Sequence, residues 1–132
     1  MGNDRAAIVA RARILIGTPF RPQGRSETGL DCVGLVAAAL NVDAPADYPV
    51  RGGSVAQLAA ALATAGLRRV RARRPGDMLA MRSGPEQLHL GIWTGDGIIH
   101  ADARLRRAVE RPGEPQWPVL GIWRLRSGTW RR

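Results

Sequence analysis

Apolar residues along this chain follow two different rhythms, and the change falls near Gly66. Upstream, apolar and small residues cluster at helical spacing. Asp4 is placed to cap a first helix running to about Ile16, with Ala7, Ile8, Ile14 and Leu15 as a rough apolar stripe. Gly17-Thr18-Pro19 ends it, and Phe20 to Leu30 reads as a polar loop. A second helix starts near Asp31 and continues through Leu40, so uniformly small or apolar that it belongs inside the fold. Asn41 to Gly53, with Pro45, Pro49 and paired glycines, is a connecting loop. Ser54 followed by Gln57 is a capping-box signature for a third helix ending before Gly66. Downstream the pattern becomes that of strands between turns, near Leu67–Ala72, Asp77–Met81, Leu88–Thr94, Gly97–Ala103, Arg107–Val109 and Val119–Leu125. Helices first and strands afterwards predict an α+β domain with an antiparallel sheet packed on helices.

Length adds that residues 1–132 form a single domain. Hydrophobic residues at 45% and charged residues at 23% are globular values, so disorder is not expected. No apolar run has the length of a membrane span. The first residues lack a signal peptide's unbroken apolar stretch, so standard export is not expected of the chain as written. The net charge is +9, and all 20 basic residues are arginine. That bias fits either coding composition or attraction to anionic surfaces. The dense stretches, Arg68–Arg74 and Arg104–Arg111, lack the interleaved aromatics of a nucleic-acid platform, so no nucleic-acid partner is expected.

The chemistry centres on the single cysteine, Cys32, where a loop gives way to the second helix. A helix start favours negative charge and lowers a thiol's pKa. First-turn N–H groups could also form an oxyanion hole, and Gly34 allows close approach of a backbone or a ligand. Taken alone, Cys32 is more simply a small buried hydrophobe.

The two histidines change that balance. His89 and His100 flank Thr94-Gly95-Asp96-Gly97, a strong hairpin signal. A two-residue loop at Gly95-Asp96 sets Gly91 opposite His100 and puts His89 on the same face, with Gly91 leaving room for His100. An odd loop would separate them. One imidazole could then activate the thiol while the second orients it. Two core or surface histidines are the plainer alternative. Three Cys/His residues with no close-spaced pair make a structural metal site improbable, and thiol–imidazole chemistry calls for no cofactor.

Five segments, Gly17-Thr18-Pro19-Phe20, Asp31-Cys32-Val33-Gly34-Leu35-Val36, Arg74-Pro75-Gly76-Asp77, His89-Leu90-Gly91-Ile92 and Ile99-His100-Ala101, together resemble the NlpC/P60 family of cysteine peptidases, which cut peptide stems of bacterial peptidoglycan. The resemblance implies a papain-like fold with Cys32 as nucleophile, His89 as base and His100 as the orienting residue. Two positions depart from the family: Phe20 stands where tyrosine is usual, and Val33 where serine is usual. With the aspartate matching Asp31, those residues hold the free amine of a stem's L-alanine. Their loss implies relaxed demand for that amine and use of stems still attached to glycan. The compact domain is also similar to cell-wall peptidases carried by phage tails and gene transfer agents. That implies tail proteins as partners, with action at the cell wall. A catalytically inactive tail plug of the same fold and a CHAP-type amidase are the competing readings.

Overall fold

The computed structural model describes residues 4–26, 28–43 and 54–126. Most of the expected 41–53 loop lies outside them. Three helices, α1 (Arg5–Ile14), α2 (Cys32–Leu40) and α3 (Val55–Thr64), precede six main strands. These are β3 (Leu67–Val70), β4 (Met78–Gly84), β5 (Gln87–Trp93), β6 (Gly97–Asp102), β7 (Arg107–Pro112) and β8 (Val119–Leu125). The strands form one antiparallel sheet in the order β3-β8-β4-β5-β6-β7, so the last strand inserts between β3 and β4. The α+β expectation holds.

Each helix begins as its sequence directs. The Asp4 side chain accepts the Ala7 N–H at 2.7 Å, and Ser54 and Gln57 complete their reciprocal box at 3.0 Å each. The α1 stripe differs from expectation, because Ile8, Val9 and Ala12 are buried while Ile14 is 80% exposed. Ile8, Ala12 and Leu15 lie at i, i+4 and i+7 and so share a face that Ile14 leaves. The expected polar loop after Pro19 also contains a small ladder, β1 (Arg25–Ser26) with β2 (Gly29–Leu30). Its close packing on α2 uses Gly34, where a Cβ would lie 2.1 Å from the Gly24 carbonyl oxygen. The approaching group there is backbone.

The sheet has two unlike faces. Met78, Ala80, Leu88, Leu90, Ile92, Ile99, Ala101 and Trp123 join α1, α2 and α3 in the main core. Leu79, Met81, Trp93 and Ile98 form a smaller cluster on the other face, with Trp117 and Ile122 packed against it. Residues directly opposite in a ladder share a face. Met78 faces both Ile92 and Trp123, so the two Gly-Ile-Trp copies are presented in opposite senses.

Candidate active site

The β5–β6 hairpin places the histidines. Thr94 N–H donates to the Gly97 carbonyl at 2.9 Å across a two-residue turn, and Gly95 supplies the positive φ of +100° that its first position requires. The ladder then pairs Trp93 with Ile98 and Ile92 with Ile99, the register expected from the even loop. His89 Nε2 and His100 Nδ1 lie 2.8 Å apart, with rings nearly perpendicular at 87°. The Gly91 expectation needs correction: a Cβ there would strike Ile98 at 2.7 Å and the Ile99 carbonyl oxygen at 3.0 Å, rather than His100. Glycine serves strand approach.

Cys32 is the first residue of α2, and Asp31 is its N-cap. The Asp31 carboxylate accepts the Gly34 N–H at 2.8 Å, the Gln23 N–H at 3.0 Å and the Arg25 guanidinium at 2.6 Å. Thr94 and Gly97 form a hydrogen-bonded pair, as do the alternate residues along β5. Leu90 N–H therefore points toward β6, where the ladder is confined to the two pairs nearest the turn. The Leu90 amide, the peptide next to His89, acts on the Cys32 thiol as a backbone donor. Cys32 belongs to the main core on the helix side of the sheet, whereas His89, paired with Met81, and His100, on the face of Ile98, point to the opposite side.

The electrostatics correct the expectation that the helix start lowers the Cys32 pKa. Burial pushes the Cys32 thiol up to about 12; amide donors at Leu90 and Val33 oppose it only in part, and the Asp31 charge adds to it. Burial and the neighbouring His100 pull His89 down to about 4, against the opposing charge of Asp102. Burial also lowers His100, again opposed by Asp102. At neutral pH the thiol and both imidazoles are uncharged. The helix start exerts its pull on Cys32, and desolvation exceeds it.

Both histidines line a cleft of about 900 Å³ with Ser83, Asp102, Arg104, Arg111 and Trp117. Trp117 meets His89 and His100 edge-on, at centroid distances of 5.1 and 5.8 Å. Sequence reasoning did not single out Trp117 or Asp102. The available signals were a tryptophan before Pro118 in an aromatic-poor chain, and an aspartate two residues beyond His100 on the same strand face. Phe20 and Val33 lie elsewhere: Phe20 packs on the main core, and Val33 is buried beside Val36, Leu58 and Leu90. Among the described residues no three His, Cys, Asp or Glu side chains converge as metal ligands, and no helix is long and apolar enough to cross a membrane.

Known proteins share this fold. The NlpC/P60 family model matches residues 17–119. A probable endopeptidase of Mycobacterium tuberculosis is 33% identical over 98 residues, 74% of this chain and 23% of that protein. The chain therefore spans under a quarter of the length of that curated relative. The structure of NlpC1 from Trichomonas vaginalis matches with a TM-score of 0.70 at 19% identity, covering 94% of this chain and 46% of the other. The NlpC/p60 domain of the peptidoglycan hydrolase SagA matches with a TM-score of 0.57 at 30% identity, covering 83% and 89%. The family model over residues 17–119 and these matches agree: the chain belongs to the NlpC/P60 family.

Proposed function

We propose that this domain is a cysteine endopeptidase of peptidoglycan stem peptides, with Cys32 as nucleophile, His89 as base and His100 as orienting residue. The 2.8 Å contact between His89 Nε2 and His100 Nδ1 carries the reading. When His89 donates through Nε2–H, its Nδ1 lone pair is free for the thiol proton. Nδ1 is also the ring nitrogen nearer the main chain. In the reaction, Sγ bonds to the scissile carbonyl carbon as its proton passes to Nδ1. The oxyanion collapses, the C–N bond breaks, and the imidazolium protonates the departing amine. Water then attacks the thioester with His89 as base, releasing the acid and restoring the thiol. Mass analysis of muropeptide products tests the reaction class. Cleavage within the stem supports an endopeptidase, whereas release of the whole stem from glycan identifies an amidase.

Substrate choice follows from the altered pocket. Val33 is committed to the core, and the Asp31 carboxylate already accepts from the Gly34 and Gln23 amides and from Arg25. Val33 has no group to bind an amine and the Asp31 carboxylate is already engaged by three donors, which supports use of stems still attached to glycan. Intact murein should be cut at least as well as free stem peptide; strong preference for the free peptide would exclude this. Delivery by a phage tail or gene transfer particle belongs to the same proposal and is carried by the resemblance to tail-borne peptidases. Mass spectrometry of purified particles tests it. The buried, uncharged thiol favours a second reading, a non-catalytic domain of this fold, which predicts no hydrolysis of either substrate.

A further inference from the structure

The cleft beside the histidines has an uneven distribution of unused hydrogen-bonding capacity. Its two carboxylates are engaged. Asp102 accepts the backbone N–H groups of Arg104 and Leu105 at 2.8 and 3.0 Å. Glu110 accepts from Arg13 at 3.3 Å and from the Thr94 hydroxyl at 3.0 Å. Its donors are not engaged. Among the described residues the Arg104 and Arg111 guanidinium groups have no carboxylate partner, and the buried Ser83 hydroxyl has no partner at all. Among the described residues Arg5, Arg13, Arg25, Arg73 and Arg124 are paired with carboxylates, and what sets Arg104 and Arg111 apart from the remaining arginines is that they line the histidine cleft.

Arg111 is the better placed of the two. It pairs with Ile98 across the β6–β7 ladder, while His100 pairs with Val109. Ile98 and His100 share a face, so Arg111 lies diagonally beside His100 on the cleft side. Its positive field reaches the His100 ring. A guanidinium accepts nothing and binds planar anions through paired N–H groups, so the group that completes it is a carboxylate. A cleft concentrates that attraction relative to an open surface.

We propose that Arg111, assisted by Arg104 of the same cleft, forms a carboxylate-binding subsite that selects peptides bearing an anionic side chain or terminus beside the segment that meets the histidine pair. This rests on the histidine cleft being the substrate site. It adds the charge of the peptide segment that lies over β6 and β7.

The test is binding to the Cys32→Ala chain, so that turnover plays no part. The probes are a stem-type peptide with a free carboxylate and the same peptide as its carboxamide. The carboxylate form should bind at least about tenfold more tightly, and Arg111→Gln should abolish that preference while Arg111→Lys retains part of it. Arg111 is exposed on β7, and an unchanged thermal melt establishes that the variant is folded. A preference surviving Arg111→Gln overturns the proposal, as does equal binding of the two probes or binding of neither by the parent. Hydrolysis of the same peptides by the wild-type chain is scored separately and decides the peptidase reading.

Discussion

Two polar clusters are built into the same sheet, and they are finished differently. Asp77, fully buried at the start of β4, accepts Arg124 Nε and Nη2 at 2.8 Å each and the Arg74 N–H at 2.7 Å, with Arg5 of α1 at 3.6 Å. Its oxygens are used up by permanently charged or backbone donors, and the pairing raises the Arg124 pKa further. The His89–His100 cluster is held by one imidazole contact and by the edges of Trp117. The groups here are neutral at pH 7, and each ring keeps a nitrogen with no described partner. The first cluster fixes α1, β4 and β8 together. The second retains capacity to move a proton.

The sharpest way to break this contrast is to remove one group from each cluster. Cys32→Ala and His89→Ala should each lower kcat/KM on stem peptides by about 10⁴-fold or more with little change in unfolding midpoint, since nucleophile and base act as a unit. Asp77→Ala should do the opposite in denaturant unfolding. It strands the Arg124 charge and should cost about 3–5 kcal/mol of stability. If the Asp77 variant melts like the parent, the ion pair is not the structural anchor described here.

Acid sharpens the comparison next. Above about pH 6.5 His89 is neutral whether folded or unfolded. As pH falls below that, the unfolded chain takes a proton that the folded chain refuses until about 4. The burial of neutral His89 therefore weakens stability between pH 6.5 and 4, by about 3 kcal/mol in total. Unfolding curves of the parent and His89→Leu across that range should differ by this slope. Parallel curves would show that His89 is not buried as a neutral ring.

The smallest expected effect belongs to Trp117. Trp117→Ala frees the imidazole pair to rotate and should lower kcat about fivefold with little change in KM, the loss expected from one aromatic contact worth about 1 kcal/mol. Trp117→Phe should recover most of it. A change confined to KM would assign Trp117 to substrate binding instead.

The parts of this molecule legible in the sequence were those set by local rules. The caps at Asp4 and Ser54, the two-residue turn at Gly95-Asp96 and the shared face of His89 and His100 follow from spacing alone. The insertion of β8 beside β4 did not, because strand order depends on which edges remain after the hairpins close. The repeated Gly-Ile-Trp shows the same limit, since Ile92 and Trp123 share the core face only through their common neighbour Met78. The Cys32 pKa was misjudged for a related reason. The helix start is local and visible, whereas the burial that outweighs it comes from β5 and the main core. Trp117 reaches the histidines from the segment before β8, so nothing near His89 announces it.

The lone cysteine allows the most direct test of the central claim. Acid-quenched mixtures of the wild-type chain with a stem peptide can be examined by intact-protein mass spectrometry while the peptide products are scored in the same samples. The account predicts peptide cleavage together with a mass increase equal to the acyl half of the peptide, mapped to Cys32, and neither in Cys32→Ala. Cleavage undiminished in Cys32→Ala, or no cleavage by the wild-type chain, would contradict it.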